Sequence, residues 1–516
     1  MRATDALDKA GLRTPDAIFV KQGGVAISYR DAVLLSHRIA SKIQDLGIVP
    51  GTRIAFLSQN DWRGLIFVYG LWRASMVLVP VNVRNSPVMN AGILKQHRPS
   101  AMVYHSHVTS LAAHVKKELQ ELTPWCCLDQ QDGDTPSLMD WIAPPGAIAK
   151  DVPNDPLSPW TLYSTSGTTG SSKGVMHTHL SNYVTSMDML FSMRVHEPKR
   201  HLVVAPMTHF AGSFIFALTM TGSTHVLLDK ADPLEILKTI EQEKIQILFL
   251  PPTVIYMLLA CEKIKSFDYA TLEHFVYAAA PMAEEPLKQA LDIFGPVMMN
   301  MYGQAEAIGP ITSLSPIEHM LGDSPATTSV LRSIGSPSIS RQVGVMRDDG
   351  QWCEAGEPGE IVLRDWVCSA AYLEDDLASA HVHRYGWYHS GDVGLMDQDG
   401  RVTLLDRKKD VIISGGFNIY SAGVEQALMT HPAVQEACVF GIPSDKWGES
   451  VHAVLELKPG SSVEAVELQN LVKVQIGSVS APKTLEFTDS LPRSATGKVL
   501  KRELRLRFWQ GRDRAI

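Results

Sequence analysis

The sequence predicts an α/β protein, with a large N-terminal domain of packed α/β subdomains that includes a β-rich subdomain, and a small C-terminal α+β domain. Three observations predict it. In the opening third, helical spacings of apolar residues alternate with short apolar runs, the pattern of βαβ units on a mainly parallel sheet. After about Arg341 the pattern changes to hairpins, marked by Asp349-Gly350 and Asp399-Gly400 between β-rich runs. Beyond the charged cluster Asp406-Arg407-Lys408-Lys409-Asp410 a separate alternation of helix and strand begins, which places a border there and divides the chain into 1–408 and 409–516.

The elements follow in order. Asp31 to Leu46 carries Val33, Leu34, Ile39, Ile43 and Leu46 at helical spacing and stops at Gly47. Ile54 to Leu57 reads as a buried strand, Trp62 to Ala74 as a helix and Met76 to Val79 as the next strand. The proline-rich stretch from Pro144 to Pro159 reads as an extended connector. Leu202 to Pro206 and Ile247 to Leu250 are further short strands, each feeding a turn of the kind that carries ligand groups in open α/β sheets. In the C-terminal domain we expect helices at Val424 to Met429 and Val466 to Ile476. Strands are expected at Val434 to Gly441, Val451 to Leu457 and Thr484 to Phe487, with a basic tail from Lys498 to Arg514.

Composition narrows the function. The chain has 516 residues, 45% hydrophobic and 20% charged, with a net charge of -8. It contains no basic block of the kind that follows a nucleic-acid backbone, so no nucleic-acid partner is expected. Cysteines 126, 127, 261, 353, 368 and 438 are scattered without metal-ligand spacing and read as reduced thiols. Met1 to Ala10 includes Asp5 and Asp8 and does not read as a signal peptide. No apolar run approaches the roughly 18 residues of a membrane span, and a cytoplasmic location is the expectation.

Six stretches carry candidate chemistry. Tyr163 to Gly174 is dense in hydroxyls and glycines and carries a single lysine, Lys173, near its end, which suits a polyphosphate. Backbone N–H groups at Gly167, Gly170 and Gly174 can approach an anion closely, and Thr165, Ser166, Thr168 and Thr169 add donors. Lys173 precedes its glycine, so this is not a Walker A loop. His209 follows a buried strand in Pro206-Met-Thr-His, and Glu306 closes Tyr302-Gly303-Gln304-Ala305-Glu306 with an oxygen ligand suited to a metal on triphosphate. Asp392 lies between glycines and can accept ribose hydroxyls. Arg407 with Lys409, and Lys498 in Pro492-Arg-Ser-Ala-Thr-Gly-Lys, are the remaining cations. Each alone reads equally well as ordinary structure: a half-buried histidine, a turn carboxylate, a solvated charge run or an exposed lysine.

Their succession resembles the adenylate-forming enzymes, which include acyl-CoA synthetases, aryl-CoA ligases and the adenylation domains of peptide synthetases. The resemblance covers about Tyr29 to Arg505. It implies ATP, Mg²⁺ and coenzyme A as cofactors and a two-step ligation of a small carboxylic acid through an acyl-adenylate. By this resemblance Thr165 to Lys173 hold the β- and γ-phosphates, Glu306 binds Mg²⁺, Tyr302 and Gly303 lie against the nucleotide and acid, and Asp392 with Arg407 hold the ribose. Lys498 bridges carboxylate and α-phosphate, Lys409 is the pivot of a mobile C-terminal domain, and the Gly415-Gly416 hairpin meets the pantetheine arm. His209, Glu306 and Lys498 are the expected catalytic residues.

The chain also departs from the family pattern. Ala305 stands where the family often has Thr, Ser421 replaces the usual Pro, Gly423 the usual Glu, and Ala371 the usual Gly before Tyr372. The resemblance places the acid pocket at His209 to Phe216 and Tyr277 to Met282. Phe210, Phe214 and Phe216 would give aromatic walls, and Ala278, Ala279 and Ala280 would leave room for bulk. No Asp, Glu, Lys or Arg lies between Pro206 and Leu228, which disfavours an amino acid or a dicarboxylate. The expected substrate is an apolar monocarboxylate, either a medium-chain fatty acid or an aryl acid. Transfer of the acyl group to a carrier protein or an amine, and a nucleotide-binding protein without turnover, are the alternatives; a homodimer is left open.

Overall fold

A computed structural model describes residues 2–152, 155–165, 173–365, 372–493 and 499–510. Two largely parallel sheets carry the N-terminal region. The larger has nine strands in the order Ser336–Pro337, Thr312–Leu314, Met298–Tyr302, His274–Ala278, Ile247–Leu250, Arg200–Val203, Thr224–Leu227, Ile18–Gln22 and Val25–Ser28. From Met298–Tyr302 to Ile18–Gln22 all pairings are parallel. The second sheet has six strands: Thr123–Cys127, Ala101–Tyr104, Arg53–Leu57, Val77–Pro80, Pro159–Thr165 and Lys173–Thr178. Only its last pair is antiparallel, with Thr165 opposite Lys173. Tyr163 to Thr165 and Lys173 to Gly174 are therefore strand residues, and Ser166, Gly167, Thr168, Thr169 and Gly170 lie outside the described residues.

Local chemistry sets the boundaries. Ser28 accepts from the N–H of Asp31, so the helix expected at Asp31 begins at Tyr29 and runs to Asp45. Asp61 caps the helix Trp62–Arg73, whose residues from Gly64 to Arg73 are all buried between sheet and neighbouring helix. The strand expected at Leu202 to Pro206 instead spans Arg200–Val203. Its polar first two residues pair with Thr224 and His225 of the neighbouring strand, a partnership that local hydropathy does not register.

A third, antiparallel sheet contains Gln342–Met346, Gly359–Arg364, Trp387–Met396, His383–Arg384 and Val402–Arg407. The fourth contains Phe417–Ile419, Ile412–Ser414, Gly448–Leu457, Val434–Ser444 and Thr484–Thr488, covered by the helices Ser421–Met429 and Ala465–Ile476. The chain passes from third to fourth sheet through a single 3₁₀ turn at Lys408–Asp410; we propose the 408/409 border within it. The expected basic tail contains a helix, Lys501–Leu506, whose Leu504 is buried with Cys438, Phe440, Val454 and Leu491.

Candidate active site

Three parallel strands of the nine-stranded sheet deliver several of the candidate residues at their carboxyl ends, where open α/β sheets bind ligands. Arg200–Val203 leads to His209, His274–Ala278 to Ala279 and Ala280, and Met298–Tyr302 to Gly303 through Glu306. Gly303 is required sterically, because a Cβ there would lie 2.2 Å from the carbonyl oxygen of Gly309. Ala279 follows its strand with φ of 73°, a left-handed conformation that costs a residue with a Cβ about 1–2 kcal/mol.

The first and third sheets meet at Asp392. Its Oδ2 accepts from the Tyr302 hydroxyl at 2.6 Å and from Gln304 Nε2 at 2.7 Å, while Arg407 Nε lies 3.8 Å from Oδ1. Strand register sets Asp392 opposite Arg407. Burial, with the Asp392 charge second, pushes the Tyr302 phenol well up, so it remains a donor at neutral pH. Gln304 is the hub that the sequence reading passed over. It also donates to the Ser390 carbonyl at 3.0 Å and accepts from the Tyr388 hydroxyl at 3.1 Å. Its position inside the Tyr302–Glu306 motif is the signal that could have revealed it.

Glu306 is half-buried, and desolvation raises its carboxyl above the usual range. The Tyr372 hydroxyl donates to its Oε1 at 3.3 Å. Lys173 approaches the same tyrosine, with Nζ 4.7 Å from the ring centroid and 3.3 Å from Asp375 Oδ2. The peptide before Glu306 is fixed from the second sheet by buried His177, whose Nε2 lies 2.7 Å from the Ala305 carbonyl oxygen. Among the described residues no group of three or more His, Cys, Asp or Glu could hold a metal unaided. A magnesium ion at Glu306 would then take its other oxygens from phosphate and water, the usual arrangement for a metal bound with a nucleotide. The hard carboxylate donor fits that ion.

His209 directly precedes the helix Phe210–Thr219 without a side-chain capping bond, lies 2.9 Å through Nδ1 from the Thr208 hydroxyl, and is lowered by burial to about 4. It is neutral at physiological pH. Phe210 is half-buried, whereas Phe214 is fully buried and stacked on Phe249 at 5.6 Å, and Phe216 lies edge-on to Trp72 and Trp160. The structure therefore gives Phe214 and Phe216 core packing surroundings, because residues two apart point to opposite faces of this uncharged helix, here into two different cores. Ala278 is buried, Ala280 half-buried and Ala279 exposed.

On the C-terminal side, Lys409 is half-buried, and desolvation lowers its ammonium. Arg505 donates to its carbonyl at 3.3 Å. Gly415 and Gly416, with φ of 57° and 84°, form the exposed turn joining Ile412–Ser414 to Phe417–Ile419, the two positive values that a tight hairpin turn demands. Lys498 lies outside the described residues. Among those residues no helix is long and apolar enough to cross a membrane.

Two largely parallel sheets, an antiparallel third sheet and a smaller C-terminal sheet with its helices, joined where Tyr302, Gln304 and Arg407 meet Asp392, make up the arrangement of an adenylating enzyme. The AMP-binding enzyme family matches residues 7–373, and the AMP-binding enzyme C-terminal domain matches residues 423–498. A feruloyl-CoA synthase from Amycolatopsis sp is 32% identical over 498 residues, 96% of either chain. A medium/long-chain-fatty-acid–CoA ligase from Mycobacterium tuberculosis is 34% identical over 380 residues, 72% of this chain and 65% of that one. The solved amide bond synthetase of Marinactinospora thermotolerans superposes with a TM-score of 0.87 at 26% identity, covering 98% of this chain and 100% of its own. The chain belongs to the adenylate-forming, AMP-dependent acyl-CoA synthetase/ligase family.

Proposed function

We propose that the protein ligates an apolar monocarboxylate, a medium-chain fatty acid or an aryl acid, to coenzyme A at the expense of ATP. The observation that carries this reading is the meeting of Tyr302, Gln304 and Arg407 at Asp392, with Glu306, four residues from Tyr302, joined to Lys173 through Tyr372. The stretch from Pro206 to Leu228 beside it, which contributes no Asp, Glu, Lys or Arg of its own, supports an apolar acid, since a second charge on the substrate would find no counter-charge within it. The names of the feruloyl-CoA and fatty-acid relatives support the same two substrate classes.

In the first half-reaction a carboxylate oxygen attacks the α-phosphorus of ATP, the bond to the β-phosphate oxygen breaks, and pyrophosphate leaves. In the second a thiolate adds to the acyl carbon and AMP leaves. Asp392 and Arg407 would fix the ribose, and Lys173 would hold the departing phosphates. Bound magnesium would neutralise charge on the phosphates beside Glu306. Lys498 would bring a cation to the pentacoordinate phosphorus, where fixed charge is worth a few kcal/mol. Transfer to an amine is the second reading, favoured by the match to the amide bond synthetase.

A pyrophosphate-release screen over fatty and aryl acids, with and without coenzyme A, tests the proposal. Wild type should release pyrophosphate with an apolar acid and form a thioester only with coenzyme A. Lys498→Ala should lose adenylation while still converting supplied acyl-AMP. Activity confined to amino acids would overturn the substrate class, and AMP release that follows amine but ignores coenzyme A would favour the second reading.

A further inference from the structure

We infer that Tyr372 is a positioning residue serving both charges of the phosphate site: its hydroxyl orients the Glu306 carboxylate, and its ring face seats the Lys173 ammonium. The inference rests on the nucleotide reading above. No sequence signal singled this tyrosine out beyond its place after Ala371, yet it touches both groups, at 3.3 Å from Glu306 Oε1 and 4.7 Å from ring centroid to Lys173 Nζ.

Three backbone links fix the tyrosine independently of those contacts. It forms an isolated β-bridge with Val175, the following N–H of Leu373 donates to the Gly174 carbonyl at 2.8 Å, and its own N–H donates to Ser379 Oγ at 2.9 Å. The residue is thus tied to the strand that carries Lys173, and the side chain reaches from there to the Glu306 loop of the other sheet.

The chemistry of each contact suits the assignment. An aromatic face attracts an ammonium without accepting any of its three N–H donors, so a lysine seated on it keeps its capacity for phosphate oxygens. A carboxylate offers two oxygens, so accepting one hydroxyl leaves capacity for a metal. Asp375, which also contacts Lys173, is a 40% exposed carboxylate that an incoming phosphate can replace.

The two halves of the side chain can be separated by substitution. Tyr372→Phe keeps the ring and removes the hydroxyl. It should raise the Mg²⁺ concentration for half-maximal pyrophosphate exchange about 3- to 10-fold, the worth of one hydrogen bond, with KM for ATP at saturating Mg²⁺ within about 2-fold of wild type. Tyr372→Leu removes both and should raise KM for ATP as well, by about 3- to 10-fold. Binding of Mn²⁺ in the presence of ATP and absence of acid, followed by electron paramagnetic resonance, gives a readout without turnover and should weaken in Tyr372→Phe by the same factor. A phenylalanine variant with wild-type metal dependence overturns the inference, as does one in which metal and ATP dependence worsen together. If Tyr372→Leu does not fold, the phenylalanine comparison still decides. Wild-type enzyme that adenylates no acid would refute the substrate reading alone, because the Mn²⁺ measurement requires none.

Discussion

Ala279 holds its left-handed φ of 73° at the end of a central strand, next to the motif strand that ends at Tyr302. Strain of this kind persists where surrounding structure imposes it, and it concentrates at ligand sites. Ala279→Gly should therefore raise unfolding free energy by about 0.5–1 kcal/mol in urea titration, the relief of the Cβ clash less the entropy a glycine adds to the unfolded chain. If the exposed alanine faces the acid, the same variant should change KM for the acid more than KM for ATP. At this scale the sequence was legible where a residue's role follows from its own functional group. Asp392, Arg407, Glu306 and Lys173 could be named from charge, order and resemblance. Gln304 could have been named from its place inside the Tyr302–Glu306 motif, but His177 and Tyr372 could not, because each works through a partner 66 or more residues away in the chain.

Between elements, the third sheet and the C-terminal helix Ser421–Met429 are joined by a contact that the departure at Ser421 creates. The backbone N–H and hydroxyl of Ser421 both donate to Asp406 Oδ2, at 2.5 and 2.7 Å, and Lys501 Nζ donates to Ser421 Oγ at 2.6 Å. Lys501 also lies 2.9 Å from Glu425, so helix, strand end and C-terminal helix share one charge network, in which Asp406 and Ser421 are buried and Glu425 and Lys501 half-buried. Proline at this first helical position would fit the helix but supply no N–H. Ser421→Pro should loosen this join by about 1–3 kcal/mol, and Ser421→Ala, which keeps the N–H, by less. Hydrogen exchange over Ser421–Met429 would report the order of the two. Faster thioester formation in the proline variant would show that the contact restrains domain movement. Sequence periodicity located this helix but started it at Val424, since the turn that contains Ser421 is polar and its partner Asp406 lies across the border.

Across the whole molecule, histidine burial sets the response to acid. His97, His177, His179, His201, His225 and His319 are each at most 2% exposed. Burial lowers His201 from 6.5 to about 3, and His97, His177, His179 and His319 to about 4. His225 falls well below 6.5 for the same reason, with His201 3.1 Å away as a further cause. Below 6.5 the unfolded chain binds a proton at each of these sites while the folded chain does not. Unfolding then consumes protons, and stability must fall as pH drops from about 6.5 towards 4, by up to about 1.4 kcal/mol per pH unit for each site. The loss should appear as a steep fall in the thermal midpoint between pH 6.5 and 4.5, with little change between 7 and 8. Replacing one member of the inner pair, His201→Phe, should flatten that fall by about one proton's worth. The new ring would face Phe214, whose centroid lies 6.0 Å from that of the imidazole, and its larger size and the lost contact to His225 should lower the midpoint at neutral pH. An unchanged slope in His201→Phe would show that His201 is protonated alike in the folded and unfolded chains. The acid response would then have to come from the other histidines that burial lowers, His209, His274 and His452 among them.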